Sequence, residues 1–288
     1  MTKQLNQKEV KLLSKMTKVS FLKTGYIHLV VATIALLFSI PFIWMILASL
    51  KTNAEISMTT WIPAKLQWDN YKEVFRVLPY AKFYWNSIFV ACWVTFLQVF
   101  TSALAAFSFA RLKWPGRDKV FLMYLGTMML PGLVMMIPNY QIMIKFGLVD
   151  TMAGLIIPGA FSAFGTFLLR QFMLAIPASL DEAAEIDGAT KWQLFWDVIL
   201  PLCRPGLITL TIFTFLGAYR NLFWPLVMMK TVDKYTLPIG LLFFDSTRGN
   251  TTHLMMAAVT MSVIPMILVF VFLQKYLVKG IQLGAVKG

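Results

Sequence analysis

The sequence predicts an all-α integral membrane protein with six transmembrane helices and both termini in the cytoplasm. Of its 288 residues, 58% are hydrophobic and 14% are charged, whereas charged residues make up about a quarter of an average soluble domain. Six apolar segments, in which the only Asp, Glu, Lys or Arg is Arg220, each approach or exceed the roughly 17–25 residues that a membrane-spanning helix needs. They are residues 26–50, 87–110, 120–137, 153–169, 206–229 and 254–273. The bilayer is therefore the expected solvent of most of the chain.

The first apolar segment is expected to remain in the protein as a helix. A cleaved signal peptide has an apolar region of only about 7–15 residues, followed by a small-residue cleavage site. Segment 26–50 is longer than that and lacks a convincing site of this kind. We therefore expect a six-helix domain at 26–276, between a cytoplasmic N-terminal segment at 1–25 and a cytoplasmic C-terminal tail at 277–288.

The basic residues indicate which side of the membrane each connection faces. Six lysines and one glutamate precede the first segment, and connection 111–119 carries four basic residues, whereas the connection after the third segment holds only Lys145. The connection at 51–84 has five basic residues, but it is long enough to count less. Since cytoplasmic connections carry the excess of Lys and Arg, both termini are predicted to be cytoplasmic. The net charge of +13 then reflects topology and attraction to anionic lipid, not nucleic-acid binding.

No enzyme site is recognisable in the sequence. Cys92 and Cys203 fall at different depths of the predicted bundle, and neither they nor the isolated His28 and His253 have metal-ligand spacing. The chain lacks a nucleotide-binding P-loop, a nucleophile elbow and an H-E-x-x-H motif. We therefore predict no catalytic residue, no metal site and no cofactor bound by this chain, so that any ATP must be bound by another subunit.

Negative charge is concentrated in residues 181–201, “DEAAEIDGATKWQLFWDVILP”. Five of the 13 acidic residues lie there, opposed only by Lys191: Asp181, Glu182, Glu185, Asp187 and Asp197. The predicted topology places this stretch in a cytoplasmic connection at about 175–205. The concentration of acids within a basic chain marks this connection as a candidate docking site.

A first short helix is predicted to start near Leu180 in this connection. Ser179 and Glu182 match an S-x-x-E capping box, and Gly188 can adopt the left-handed conformation that ends a helix. One face contains the residues spaced i, i+3, i+4 and i+7: Leu180, Ala183, Ala184 and Asp187. Because alanine is small, a partner's backbone can approach this face closely, with Glu182 and Glu185 available for charge-assisted hydrogen bonds. The alternative is a solvated amphipathic helix without a partner.

A second short helix is predicted directly after the first. Thr190 and Gln193 form another capping box. Pro201, which lacks a backbone donor, would end this helix. The two helices together would fill most of the connection.

Several motifs resemble those of one family of membrane transport proteins. “EAA” at 182–184, Gly188 and “ILP” at 199–201 resemble the EAA loop of ABC importer permeases. Other segments resemble the carbohydrate-uptake branch, and in particular the smaller permease of maltose-type importers: “IPFIWMILASLK” (40–51), “YWNSIFVA” (84–91), “AAFSFARLKWPGR” (105–117), “LPGLVMMIPNY” (130–140), “FGTFLLRQFMLAIPASLDEAAEIDGAT” (164–190), “YTLPIGL” (235–241) and “GAVKG” (284–288). The resemblance extends over nearly the whole chain.

The resemblance implies a type I ABC importer permease fold with a cytoplasmic coupling helix at the EAA loop. Glu182 would be the charged contact to an ATPase subunit, and Ala183 and Ala184 would form the close-packing surface. Asp187 and Gly188 complete the implied ATPase-coupling residues, with Gly188 forming the turn. The subunit itself would be non-catalytic.

The resemblance also implies a multi-pass location in the cytoplasmic (inner) membrane of a bacterium, with several partners. These are a second, different permease, two copies of a cytoplasmic ATP-binding subunit that hold ATP and Mg, an extracytoplasmic solute-binding protein, and membrane lipid. Transport would proceed by alternating access. Loop 230–252 would reach the binding protein, with these contact candidates: Thr236, Leu237, Pro238 and Gly240. The tail would lie against the ATPase pair.

Residues 214–226, “TFLGAYRNLFWPL”, contain the substrate-pathway candidates Tyr219, Arg220, Asn221 and Trp224. Where the family pattern resembles W-N-[DE]-F-L-W-P, this chain lacks the acid and gains a guanidinium at Arg220. At 1.5 Å per residue, Arg220 lies about 20 Å from the cytoplasmic end of a roughly 30 Å core, where an ionisable side chain usually faces a bundle interior or a wet cavity. We predict that Arg220 binds an acidic oligosaccharide such as an alginate fragment. Alternatively, it extends to the interface near Trp224 or pairs with the partner permease.

Two other function classes remain open. One is an ABC permease for another small solute, and the other is a secondary transporter or channel in which the acidic connection is regulatory. A secondary transporter would normally use carboxylates within its spans, and none of the six apolar segments contains Asp or Glu. The leading prediction is therefore a permease subunit of an ATP-driven, binding-protein-dependent oligosaccharide importer.

Overall fold

The computed structural model describes the backbone of residues 7–58, 60–247 and 251–285 and the side chains of residues 25–58, 60–242 and 251–275. Within these ranges the chain is helical and contains no β-strand. The α-helices are α1 (Gln7–Ser49), α2 (Asn53–Ser57), α3 (Asp69–Val77), α4 (Tyr80–Arg111), α5 (Arg117–Gly126), α6 (Met136–Lys145), α7 (Met152–Ile156), α8 (Ala163–Ala175), α9 (Ser179–Ile186), α10 (Lys191–Gln193), α11 (Leu200–Leu202), α12 (Arg204–Tyr219), α13 (Phe223–Met228), α14 (Leu237–Thr247) and α15 (Thr252–Ala285). Shorter elements are 3-10 turns at Thr127–Met129, Ile157–Ala160 and Val232–Lys234 and a π-helical turn at Leu194–Ile199.

Three helices are long and apolar enough to cross a membrane by themselves. They are residues Gly25–Ser49 within α1, the whole of α4, and Thr252–Lys275 within α15. Two further pairs of helices meet the same criterion together although each pair is bent: Met152–Ala160 with Ala163–Ala175 by 42°, and Lys191–Leu202 with Arg204–Tyr219 by 76°. The part of the chain described by the structure thus holds three to five such units, which fits a multi-pass membrane protein.

The prediction of one continuous helix over residues 120–137 is wrong. The chain instead leaves residues 130–135 outside any α-helix, between α5 with its following 3-10 turn and α6. Leu130 has an extended backbone conformation with ψ of 120°, as expected for the residue that precedes a proline, here Pro131. Proline also lacks the N–H that an α-helix uses, which favours an interruption here, although α1 and α15 continue through Pro41 and Pro265.

The first and last long helices extend beyond the predicted spans. α1 begins at Gln7 and α15 continues to Ala285, so much of each segment predicted as a terminal extension is helical. α1 packs along α15, while most of its large apolar side chains from residue 25 onward are exposed. Such exposure suits a helix that meets lipid, since lipid tails are as apolar as these side chains.

α4 is the central helix and packs against both α8 and α12. Near its N-terminal end, Phe83 and Tyr219 belong to a buried cluster that joins α4 to α12, α14 and α15. Near its C-terminal end lies a second cluster, here called the α4–α8 cluster: Ala103, Ala106, Phe107, Leu169, Met173, Leu194, Phe195, Ile199, Cys203 and Leu210. The second cluster supports the acidic connection that contains α9.

Candidate functional sites

α9 is the helix that carries the EAA motif. Its N-cap is Ala178, which makes no side-chain capping bond, so the predicted Ser179–Glu182 capping box does not form. Ser179 is already the first helical residue, one position past the site where a hydroxyl caps a helix. Gly188 has a φ of +79°, which confirms the predicted left-handed end of this helix.

The helix that follows Gly188 begins as predicted and ends one residue later than predicted. The Thr190 hydroxyl accepts a hydrogen bond from the Gln193 N–H at 3.3 Å, and the Gln193 side chain accepts one from the Thr190 N–H at 2.8 Å, which confirms the capping box. The helix passes through the π-helical turn to Leu202 and then bends by 76° into α12. Leu202 is the only helical residue after Pro201 before the turn at Cys203, so the end predicted at Pro201 is confirmed to within one residue.

The two alanines of the EAA motif face different surroundings. Ala183 is exposed, whereas Ala184 is half-buried and packs against the α4–α8 cluster, so Ala183 offers more free surface to a partner than Ala184 does. Ile186 is 85% exposed and lies one helical turn after Glu182. The exposed residues Glu182, Ala183, Ile186 and Asp187 are here called the α9 outer surface. Ile186 was missed as a candidate, although its i+4 spacing from Glu182 placed it on the same helix face.

Glu185 is paired within its own connection. The Lys191 ammonium donates a hydrogen bond to the Glu185 carboxylate, and this contact lowers the pKa of Glu185. Glu182 and Asp187 have no ion pair with any described residue. The free negative charge of the α9 outer surface therefore rests with these two residues.

Asp181 is directed into the protein and meets Arg111, the last residue of α4. Arg111 Nη1 donates to Asp181 Oδ2 at 3.0 Å, while Nη2 donates to the carbonyl oxygens of Met173 and Ile176 at 2.6 and 2.8 Å. The Arg111 side chain is only 6% exposed. One guanidinium thus joins α4, the end of α8 and the first turn of α9. From the sequence, Arg111 counts only as an orienting charge, because a pairing across 70 positions leaves no local signal.

A second arginine joins neighbouring helices at the same end of the bundle. Arg170 Nε on α8 donates to the Phe109 carbonyl oxygen of α4 at 3.1 Å. Its guanidinium carbon lies 4.2 Å from the centre of the Phe121 ring on α5, and Nη2 lies 3.6 Å from an Asp118 oxygen. α4, α5 and α8 are therefore held together where the acidic connection begins.

A cavity of about 800 Å³ lies between α4, α12, α13 and the interrupted segment before α6. Its volume is within the range of small-molecule binding sites. Its lining combines four aromatic side chains with four polar ones: Phe164, Phe213, Phe223, Trp224, Gln98, Asn139, Thr214 and Asn221. No lining residue is charged. Such a surface can stack against apolar faces of a ligand and hydrogen-bond to its hydroxyl groups.

Only two of the four substrate-pathway candidates line this cavity. Asn221 and Trp224 are among its lining residues, and the Trp224 indole N–H donates to the Gly154 carbonyl oxygen at 3.1 Å. Tyr219 is buried elsewhere, with its hydroxyl 3.1 Å from the Ser262 carbonyl oxygen. Arg220 lies at the break between α12 and α13, where its side chain is exposed but outside the cavity lining. Because the helix is interrupted after Tyr219, the side chains of residues 219–221 lie in different surroundings. The periodicity of a continuous helix does not predict this.

Asp150 ties the connection after α6 to the connection after α13. Its carboxylate accepts hydrogen bonds from the Lys230 and Thr231 N–H groups at 3.0 and 3.1 Å and from the Thr231 hydroxyl at 2.6 Å. The Lys234 ammonium donates to it at 3.1 Å. The Thr231 hydroxyl and the two N–H groups hold the pKa of Asp150 well below its usual range. The contacts fix the connection after α13 against the start of α7.

The residues predicted to contact a binding protein lie mostly inside the protein. Thr236, Leu237 and Gly240 are buried, and Pro238 is half-buried. α14 packs on α4 and α15, so three of the four side chains are not available to a partner in this conformation. Among the residues of loop 230–252 whose side chains the structure describes, residues 230–233 and Leu242 are exposed.

Comparisons with known proteins agree on one family. A family model described as “Binding-protein-dependent transport system inner membrane component” matches residues 28–283. An arabinooligosaccharides transport system permease protein of Halalkalibacterium halodurans is 32% identical over 265 residues, which cover 89% of this chain and 94% of the relative. An sn-glycerol-3-phosphate transport system permease protein of Brucella abortus is 32% identical over 265 residues, covering 88% and 94%.

A solved structure supports the same conclusion at the level of the fold. It is described as a bacterial ABC transporter involved in the import of the acidic polysaccharide alginate. Its matching chain has a TM-score of 0.78 and 24% identity, over 96% of this chain and 99% of the other. The chain belongs to the family of binding-protein-dependent transport system inner membrane components, which are permease subunits of ABC transporters.

Proposed function

We propose that this chain is a non-catalytic permease subunit of an ATP-driven, binding-protein-dependent oligosaccharide importer that works by alternating access. The observation that carries the proposal is the uncharged cavity of about 800 Å³ with aromatic and amide side chains. Aromatic rings can stack on sugar faces, and amide groups can donate to and accept from sugar hydroxyls. We place the protein in the inner membrane of a bacterium, with ATP and Mg bound by the partner ATPase subunits.

The α9 outer surface is the proposed contact with an ATPase subunit. Glu182 and Asp187 offer carboxylates to a basic partner, and Ile186 offers an apolar side chain that is 85% exposed. Gly188 provides the turn that presents this surface. We propose two copies of the ATPase in the complex, one for this chain and one for the second permease.

We propose that the second permease covers the cavity on the side formed by residues 130–135, where the chain is not α-helical. Apolar side chains near the interruption are strongly exposed, among them Met129 at 85% and Leu133 at 63%. Leu133 also lines the cavity, so a partner there would close the space in which the cargo lies. A solute-binding protein is proposed to contact the exposed residues 230–233 on the outer side.

The names of relatives do not decide the substrate class, because one is an arabinooligosaccharide permease and another a glycerol-3-phosphate permease at equal identity. The uncharged lining favours neutral oligosaccharides. An acidic oligosaccharide such as an alginate fragment is the second candidate. It is favoured by the exposed Arg220, which precedes the cavity residue Asn221 and has no carboxylate partner among the described residues.

The test is the ATPase activity of the reconstituted complex with its binding protein, measured with neutral and uronate oligosaccharides of matched length. Stimulation by neutral oligosaccharides that Arg220→Ala leaves unchanged supports the first candidate. Stimulation by uronates that Arg220→Ala removes selectively supports the second, and equal loss for both sugar classes contradicts a role for the Arg220 charge. Stimulation by no oligosaccharide contradicts the proposed function.

A further inference from the structure

The acidic residues of α9 form two groups that differ in whether the side chain points to the surface or into the protein. Glu182 and Glu185 are exposed, whereas the Asp181 carboxylate is 18% exposed and 3.0 Å from Arg111 Nη1. Asp181 is thus not part of the α9 outer surface. It joins this helix to the bundle instead of to a partner.

The Arg111 guanidinium is placed at three helix ends at once. It is the last residue of α4, it donates to the Met173 and Ile176 carbonyl oxygens at the end of α8, and it pairs with Asp181 in the first turn of α9. A cation is favoured at helix C-terminal ends and an anion at a helix N-terminal end. The Arg111 cation is thus favourable at the C-terminal ends of α4 and α8, and the Asp181 anion is favourable at the N-terminal end of α9.

The ion pair also keeps an unused donor and an unused acceptor. Arg111 Nε and Asp181 Oδ1 are buried without a hydrogen-bond partner. A guanidinium and a carboxylate can pair through two parallel hydrogen bonds. Nε and Nη1 lie on opposite edges of the guanidinium and cannot both bind one carboxylate, so the hydrogen bond from Nη1 is the contact by which Arg111 holds Asp181.

A second pair in the connection provides a contrast. Lys191 and Glu185 are more than half exposed and join only neighbouring parts of the same connection. Exposed pairs contribute little to stability and fix little geometry. Arg111 and Asp181 are the buried pair that reaches from this connection into the spanning helices.

We propose that the Arg111–Asp181 pair is the positioning contact that transmits movement of α9 to α4 and α8. The inference rests on the proposed function, in which α9 docks on the ATPase. When nucleotide binding moves α9, the pair makes α4 and α8 follow. α4 and α12 carry Gln98 and Thr214 of the cavity lining, so movement of α4 reshapes the site that holds the cargo.

The first experiment compares Asp181→Asn, Arg111→Lys and the double variant in the reconstituted complete importer. Asp118→Asn is the matched control, because its carboxylate is 68% exposed and paired outside α9. Three quantities are measured: ATPase subunits retained on purification, ATP hydrolysed, and oligosaccharide imported per ATP. Each single variant is expected to retain the ATPase subunits and to lower import per ATP by about tenfold, since breaking a buried pair is costly. The double variant is expected to be no worse than either single variant, because the two residues act through one contact.

Two outcomes overturn the inference. In one, the amount of ATPase subunit retained on purification, the rate of ATP hydrolysis and the rate of import all fall in parallel. That result indicates that the pair only supports folding. In the other, import per ATP stays at the wild-type and Asp118→Asn level. A wild-type complex that hydrolyses ATP but imports no oligosaccharide contradicts the proposed function instead, and then a distance measurement tests the pair.

The distance measurement uses spin labels at positions 179 and 96, which are exposed on α9 and α4, in a Cys92→Ser background. Nucleotide-free and vanadate-trapped complexes are compared. With the pair intact, α9 and α4 are expected to move together and the label distance to remain constant. With Asp181→Asn, the distance is expected to change on trapping. The same behaviour in both proteins overturns the inference.

Discussion

The Gln98 side-chain amide on α4 donates a 2.9 Å hydrogen bond to the Thr214 hydroxyl on α12, and both side chains line the central cavity. The bond joins two of the helices that enclose the cavity, the proposed cargo site. It also leaves the Gln98 carbonyl oxygen free to accept a hydrogen bond from a sugar hydroxyl. Gln98 is therefore a central polar group of the proposed pathway, although the sequence predicted the pathway residues only in the segment around Arg220.

Gln98→Leu is expected to lower oligosaccharide import at subsaturating sugar by about tenfold. The change keeps a similar volume but removes one or two hydrogen bonds, each worth about 1 kcal/mol. The measurement is initial uptake rate in proteoliposomes at several sugar concentrations. Phe96→Leu, an exposed position on the same helix, is the control and should behave like the wild type. Unchanged uptake with Gln98→Leu would remove Gln98 from the pathway.

Ile186→Ala is expected to weaken binding of the ATPase subunit roughly tenfold. Burial of this exposed side chain in the complex would contribute about 1–2 kcal/mol. Because the side chain is 85% exposed in the free chain, the variant should fold normally. Binding of the purified ATPase to the permeases in nanodiscs measures the effect. Leu202→Ala, at a position 49% exposed beyond the α9 outer surface, serves as the matched control, and equal binding by both variants would refute the docking role of Ile186.

Asp150→Asn is expected to reduce the free energy of unfolding by about 1–2 kcal/mol at pH 7, since charge-assisted hydrogen bonds are lost. The native pKa of Asp150 is lowered, so its stabilising contribution is complete above the ordinary carboxyl pKa of about 4 and is lost as the pH falls below it. The difference between wild type and variant should therefore shrink below about pH 4. Thermal unfolding of wild type and variant in detergent, measured on both sides of pH 4, tests whether the difference in stability shrinks at low pH.

Asp69→Asn is the control for the Asp150 experiment. Its ion pair with Lys72 is highly exposed, so the expected loss is within about 0–1 kcal/mol. A loss for Asp150→Asn no larger than this, or one that grows toward low pH, would show that the contacts of Asp150 do not stabilise the connection after α13.

Gly240→Ala is expected to destabilise the protein by about 1–3 kcal/mol, because the added methyl group overpacks a filled interior. A Cβ at Gly240 would lie 2.2 Å from the buried Phe83 ring. Gly126→Ala is the matched control, since a Cβ there meets no atom within 4 Å. The measurement is the thermal unfolding midpoint of both variants in detergent, which should be lower for Gly240→Ala. Equal midpoints would mean that α14 can move away from α4 at little cost in free energy.

Local features of the acidic connection were predictable from the sequence. The Gly188 turn and the Thr190–Gln193 capping box depend on residues two to four positions apart, and short-range chemistry determines them. The start of α9 was predicted to within one residue, but its cap was not, because Ala178 takes the N-cap position although Ser is the preferred residue there.

Helix faces were less predictable than helix positions. A membrane helix is apolar on all sides, so its hydrophobic pattern does not say which side meets lipid, a neighbouring helix or a cavity. For this reason the sequence placed Tyr219 with Asn221 in one pathway, whereas the break after Tyr219 separates them. The same reason explains why Gln98 was not singled out.

By itself, the sequence determined the membrane class, the approximate positions of five apolar helices, the acidic connection and the permease family. These follow from composition and from motifs of adjacent residues. Only the tertiary structure decided that Ala184 and Asp181 face inward, that Arg111 joins three helix ends, and that Gln98 and Thr214 meet in a cavity. The physical reason is that these contacts join residues far apart in the chain, and the packing of neighbouring helices, not local preference, brings them together.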